Sequence, residues 1–243
     1  MSVFIDAVIH SLLEVREKIS SSSDVTLFDS YTQGHGGDVS SGFDLVAESI
    51  LFKYLSPFGT FYSEESGWMS LKSDVNIICD PIDGSDNFSS SFPYYGISIA
   101  RETAGETTEG VVCNLANGDI FVRTSCEYYR CSLEAPTVKL AVNFGKNPKI
   151  GLFEKSQEHP ELIKVLMDKK LKFRSPGALA LSLAYAPLVK YVLFLGTMRQ
   201  FDIQAGLFLS QHLYRFNDER YILLSTDKEV FEELRLIVEK EYF

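Results

Sequence analysis

A mixed fold of helices and strands is predicted by three features of the chain: two helical segments, the first amphipathic, lie in its first quarter, short strands joined by glycine-containing turns fill its middle, and strands and helices alternate again towards its end. With 243 residues it can bury a large core, and length alone permits one large domain or two smaller ones fused. Composition is that of a globular protein, 45% hydrophobic and 23% charged. A net charge of −10 argues against non-specific nucleic-acid binding, which rewards clustered Lys and Arg. No nucleic-acid partner is expected. A phosphate ligand remains compatible, because a bound cation reverses the local field.

Val3, Phe4, Ala7, Val8, Leu12, Val15 and Ile19 recur near helical spacing, so a helix with one buried face is expected over 3–19, ended by the serines from Ser20 to Ser23. A strand is expected from Val25 to Phe28. The glycine-rich run from Gln33 to Asp38 then brings His35 either near a ligand or into solvent. A second helix starts at Asp44, whose carboxylate suits the helix dipole, and runs to Leu55. Phe58 to Tyr62 reads as a strand that ends in Ser63-Glu64-Glu65-Ser66-Gly67.

The most informative stretch runs from Asn76 to Phe88. Val75, Ile77 and Ile78 are β-formers in a run too short for a helix, and Pro81 and Gly84 are expected to stop the ladder and bend the chain. Asp80, Asp83 and Asp86 therefore crowd the strand's carboxyl end. Three neighbouring acids repel one another, and a divalent cation removes that cost; Mg²⁺ favours carboxylate and water oxygens and often shares substrate phosphate. Gly84 and Ser85 could offer backbone N–H groups to an anion if a helix begins there. An Asx-rich turn is the alternative. An EF-hand loop is excluded, because it needs ligand oxygens at positions 1, 3 and 5 and a Gly at 6, whereas here Pro81 stands at 2, Ile82 at 3 and Gly84 at 5. A phospho-aspartate nucleophile is disfavoured, since Asp80 and Asp83 are three apart. If the strand before Glu64 lies beside Asn76–Cys79, Glu64 reaches the same edge as Asp80 and shares its metal.

Tyr95–Arg101, Gly110–Asn114 and Asp119–Arg123 read as three strands, followed by a connector rich in Cys, Ser and Pro from Ser125 to Thr137. Lys139 to Phe144 is expected to open the second alternation. A helix over Pro160–Met167, a short strand at Leu171–Phe173, a buried helix over Pro176–Ala186 and a strand at Tyr191–Leu195 follow. Asp202 precedes another apolar helix, and Tyr221–Leu224 and a helix from Lys228 to about Glu241 complete the pattern. Met1 to Glu17 lacks the basic and apolar regions of a signal peptide, and the apolar run Ala178–Leu195 is broken by Pro187 and Lys190, so no membrane segment is expected. Cys79, Cys113, Cys126 and Cys131 show no zinc-like spacing and are read as reduced thiols of a cytoplasmic protein.

With Glu64-Glu65, Asp80-Pro-Ile-Asp83-Gly-Ser85 and Asp202 in that order, the chain from Asp38 to about Gly206 resembles the inositol monophosphatase family of metal-dependent, lithium-sensitive phosphatases. Arg199-x-x-Asp202-Ile-x-Ala-Gly206 and Arg174-Ser-x-Gly177 look most like its archaeal members, which act on inositol phosphates and fructose 1,6-bisphosphate. The resemblance implies an α+β fold, a layered αβαβα sandwich forming a single domain over 1–243, with halves at about 1–136 and 137–243. It implies two or three Mg²⁺ ions: Glu64, Asp80 and the Ile82 carbonyl for one, Asp80, Asp83 and Asp202 for another. Ser85 paired with Asp44 would orient the attacking water, with Glu64 also catalytic. Gly84, Ser85, Gly177, Arg199 and Asp202 would contact the small-molecule phosphate ester. A homodimer is implied as well.

The chain departs from that pattern where inositol-specific relatives carry a glutamate, the corresponding region here being Phe194-Leu195-Gly196, and at Leu179 and Phe201. The expected activity is hydrolysis of a small sugar or polyol phosphate. The alternatives are a nucleotide 3′-phosphatase using Tyr94 and Tyr95, and a non-catalytic phosphate-binding protein on this scaffold.

Overall fold

The computed structural model describes residues 2–21, 27, 29–37, 39–69 and 73–242. Helix α1 (Val3–Ser21) and helix α2 (Gly42–Leu55) lie together, and between them strands β1 (Ser30–Gln33) and β2 (Val39–Ser41) form a small antiparallel pair. Gly34 to Gly37 of the glycine-rich run lie in the connection between these two strands. The strand expected at Val25–Phe28 falls, apart from Leu27, outside the described residues, as does Asp38.

An eight-stranded sheet follows. Its strands are β3 (Thr60–Ser63), β4 (Gly67–Met69), β5 (Val75–Asp83), β6 (Gly96–Thr103), β7 (Glu106–Asn114), β8 (Asp119–Thr124), β9 (Tyr128–Ser132) and β10 (Ala135–Leu140), in the order β10-β9-β8-β7-β6-β5-β3-β4. Period-two alternation divides its side chains. Ile77, Cys79, Ile97, Ile99, Val111 and Ile120 face Phe4, Val8 and Leu12 of α1 and Phe43, Ala47 and Leu51 of α2. Ile78, Ala100, Val112 and Phe121 face the opposite way, onto α5 (Leu179–Ala184) and α6 (Gln200–Leu209).

Those two helices are covered on their far side by a five-stranded sheet. It contains β11 (Gly151–Glu154), β12 (Phe173–Arg174), β13 (Val192–Leu195), β14 (Tyr214–Asn217) and β15 (Tyr221–Ser225), ordered β12-β11-β13-β15-β14. Leu152, Val192, Phe194, Ile222 and Leu224 pack towards Leu183 of α5 and Ile203 and Leu207 of α6. Phe153, Leu193, Leu195 and Leu223 pack towards α4 (Pro160–Asp168) and α7 (Lys228–Tyr242). The result is an αβαβα stack, and α5 and α6, apolar on both sides, are its middle layer. Gly206 permits their close approach, since a Cβ there would stand 2.5 Å from Cβ of Leu183.

Several expectations change in detail. Ser125–Thr137 is no connector: β9 and β10 extend the first sheet to Leu140, with Pro136 tolerated on its edge strand. Lys139–Phe144 is therefore the end of β10 and an irregular segment, and the second sheet opens at Gly151, not near residue 137. The buried helix is shorter than Pro176–Ala186, because Gly177 has φ +81° and Ala178 is extended at φ −150°. Pro81 does not stop β5; a register shift between Asp80 and Asp83 accommodates it and carries the strand through to Asp83. Among the described residues no helix is long and apolar enough to cross a membrane, and all four cysteines are free thiols.

Candidate active site

Strands β3 and β5 run parallel with Ser63 opposite Cys79, so Glu64, just past the end of β3, stands beside Asp80, which is still paired within β5. Asp202, in the first turn of α6, meets them from the middle layer. One carboxylate oxygen from each of Glu64, Asp80 and Asp202 lies within 4.8 Å of the others, and all three residues are buried. Asp83 lines the same cleft but stands outside this trio, its Oδ2 accepting the Leu181 N–H at 2.7 Å.

Burial and the nearby charges of Glu64, Asp83 and Asp202 push the Asp80 carboxyl well above its ordinary range, with Arg199 opposing. Asp83 is raised chiefly by burial, against the Leu181 N–H that favours its charged form. Carboxylates so crowded call for positive charge, and Arg199 supplies part of it: Nη1 is 2.7 Å from Glu64 Oε1 and Nε is 2.8 Å from Asp202 Oδ2. An all-oxygen donor set of buried carboxylates also fits a hard divalent cation. The trio could therefore hold a metal.

Beyond Asp83 the chain turns through Gly84 at φ +89° into the short helix α3 (Ser85–Ser89). A left-handed residue at this point favours glycine. Ser85 Oγ lies 3.3 Å from Asp44 Oδ1 and donates to the Ile82 carbonyl at 3.0 Å. Asp44 meanwhile caps α2: its Oδ2 accepts the Ser41 N–H at 2.7 Å and its own N–H bonds Ser41 Oγ at 3.3 Å. Capping and contact with Ser85 are thus combined in one carboxylate, which burial raises and these bonds lower. Asp86 is exposed in the first turn of α3 and lines the same cleft, without belonging to the trio. His35 packs edge-on to Tyr62, and the His35 and Gly36 N–H groups bond the Glu65 and Glu64 carbonyls at 2.9 and 2.7 Å. The glycine-rich turn therefore braces the glutamate turn.

A cleft of ≈ 720 Å³ joins these parts and extends to Gly177, Ala178, Leu179, Phe194 and Arg199. Tyr94, offered as a base-stacking residue, is not among its lining: its hydroxyl contacts Ser182 at 3.2 Å inside the protein. Two acids escaped the sequence reading. Glu48 on α2 accepts the Ser66 N–H at 3.0 Å and its hydroxyl at 2.6 Å, pinning the turn after Glu64. Glu154 ends β11 at the cleft wall. Its signal was present, since Leu152-Phe153-Glu154 repeats the apolar-then-acid pattern of Cys79-Asp80.

The model of the inositol monophosphatase family matches residues 5–211. The chain belongs to the inositol monophosphatase family. Curated relatives include the Nus factor SuhB of Xylella fastidiosa, 26% identical over 186 residues that make up 71% of this chain and 66% of that protein. The fructose-1,6-bisphosphatase/inositol-1-monophosphatase of Thermococcus kodakarensis is 44% identical over 64 residues, 26% of this chain and 25% of the relative. The fructose-1,6-bisphosphatase of Pyrococcus furiosus is 26% identical over 150 residues, 61% and 56% of the two chains. In each of these three the match spans less than two thirds of the relative's length.

Solved structures of this family share the fold over nearly the whole chain. The extragenic suppressor protein suhB from Bartonella henselae superposes with a TM-score of 0.79 at 20% identity, covering 99% of this chain and 100% of that one. The MJ0109 gene product, an inositol monophosphatase-fructose 1,6 bisphosphatase, gives 0.77 at 20% identity with coverage of 98% and 100%. At such identity the likeness is one of fold.

Proposed function

We propose that this inositol monophosphatase family member is a Mg²⁺-dependent phosphomonoesterase acting on a small sugar or polyol phosphate, of the inositol 1-phosphate or fructose 1,6-bisphosphate type. The observation carrying this reading is the convergence of Glu64, Asp80 and Asp202 beside a Ser85–Asp44 pair at the mouth of one cleft. In it, Glu64, Asp80 and the Ile82 carbonyl would hold one ion, and Asp80, Asp83 and Asp202 would hold another. Bound Mg²⁺ supplies charge that acidifies water and offsets the negative charge on the transferring phosphoryl group and the leaving oxygen.

The protein's own groups then orient and exchange protons. Ser85 positions the attacking water, and Glu64 or the Ser85–Asp44 pair accepts its proton. The Gly84 and Ser85 amides hold the phosphate. Gly177 and Arg199 face the rest of the ester, and the P–O bond breaks as the water oxygen joins phosphorus, without a phosphoenzyme. A cytoplasmic homodimer belongs to the same reading. A second reading, a phosphate-ligand-binding protein without turnover, is motivated by the altered pocket, with Leu179 and Phe194 lining the cleft.

The test is phosphate release from inositol 1-phosphate, fructose 1,6-bisphosphate, adenosine 3′,5′-bisphosphate and NADP, with Mg²⁺ present and absent. Mg²⁺-dependent turnover of one of the first two, suppressed by Li⁺, is expected. Release from none of the four, with calorimetric binding retained, would favour the second reading.

A further inference from the structure

We infer that Glu154 is a positioning residue that fixes the leaving-group wall of the cleft and so sets affinity for the ester without contributing to phosphate binding; this rests on the phosphatase reading above. Glu154 is only 2% exposed. Its Oε1 accepts the Ser182 hydroxyl, its Oε2 accepts the Gly177 N–H at 2.9 Å, and the Ala178 N–H also bonds it. Burial of a carboxylate is costly unless donors of this kind surround it. Three donors converge here, two of them consecutive amides of one segment.

The same segment is held from the other side. Asn87, in α3 with Ser85, donates through Nδ2 to the Pro176 carbonyl at 2.7 Å, and its Nδ2 also bonds the Tyr94 carbonyl at 2.7 Å. Residues 176–178 therefore have N–H groups fixed by the second sheet and a carbonyl fixed by the helix that follows the phosphate turn. Gly177, at φ +81°, can follow this path where a side chain would be strained. The residues so held, Gly177 and Ala178 together with Leu179 next to them, line the cleft. The hydrogen bonds of Glu154 go to the segment that forms the wall, and its charge also acts on Asp83.

Glu154→Gln keeps the volume and removes an acceptor from the two amides and the hydroxyl. For inositol 1-phosphate the expected result is KM raised about tenfold, kcat within about threefold, and inhibition by inorganic phosphate within about twofold of wild type. A purely structural role would instead lower the melting temperature and weaken ester and inorganic phosphate together. Should Glu154→Gln fold poorly, Ser182→Ala, which removes one donor and leaves the amides, is expected to give the same split at smaller size. Unchanged KM, or KM and phosphate inhibition rising in parallel, overturns the proposal. If the wild type turns nothing over, calorimetry with inositol 1-phosphate and with inorganic phosphate reads the split as Kd values. In that case the phosphatase reading fails while Glu154 stands or falls on the ratio, and a wild type that binds neither probe overturns both.

Discussion

Two parallel strand pairs in this molecule deliver acid to the cleft, and they use it in opposite ways. In the first sheet, β3 and β5 are in register at Ser63 and Cys79, so Glu64 and Asp80 emerge as neighbours and repel. In the second, β11 and β13 pair Glu154 with Phe194, so the acid emerges beside an apolar ring. The pair of acids, joined by Asp202, becomes a cluster that can hold a cation. The single acid is instead surrounded by backbone amides and a hydroxyl. One local device thus gives a candidate metal centre or a loop anchor, and the partner strand decides which.

The comparison can be broken at its strongest point first. Asp80→Asn removes the carboxylate shared by both proposed ion sites, and turnover of the active ester should fall by about 10³-fold or more, measured as kcat with saturating Mg²⁺. Near-wild-type turnover would show that the acid pair does not hold the working ion. Next, Phe194→Asp would give the second sheet a pair of acids like the first. Burial of a charge with no donors built for it and loss of the ring should cost about 3 kcal/mol in denaturant unfolding. Stability restored by divalent cation would mean that register alone suffices to build a metal centre.

A smaller effect is expected from Ser85→Ala, about 10²-fold in kcat with metal binding retained, since only orientation of the water and its proton path is lost. Parallel loss of metal affinity by calorimetry would move Ser85 into the ion site. The smallest is chelation. A ligand that binds the native state only, at ten times its Kd, stabilises by about 1.4 kcal/mol. Adding EDTA should therefore lower the melting temperature of the wild type modestly and leave Asp80→Asn unmoved.

The sequence carried most of the site because its parts are local. Asp80, Ile82, Asp83, Gly84 and Ser85 lie within one strand end and the turn after it, and apolar periodicity exposed the strand that delivers them. Helices α1, α2, α4 and α7 were legible for the same reason, each having one apolar face. Reading failed where composition and pattern disagreed. Tyr128-Tyr129-Arg130-Cys131-Ser132 alternates as a strand should, but the surrounding Cys, Ser and Pro suggested a connector. The apolar-then-acid pattern at Glu154 marks a strand end but carries no sign of the amides that reach it.

What the sequence determined by itself is the chemistry on offer: acids at strand ends, a glycine turn before a short helix, and an Asp opening an apolar helix. Only the tertiary structure decided which of these meet. The parallel register of β3 and β5 put Glu64 beside Asp80, the middle helical layer delivered Asp202 across more than a hundred residues, and the pairing of β11 with β13 left Glu154 without a second acid. The physical reason is that charge repulsion and desolvation act through space, so a carboxylate's role is fixed by its neighbours in the fold.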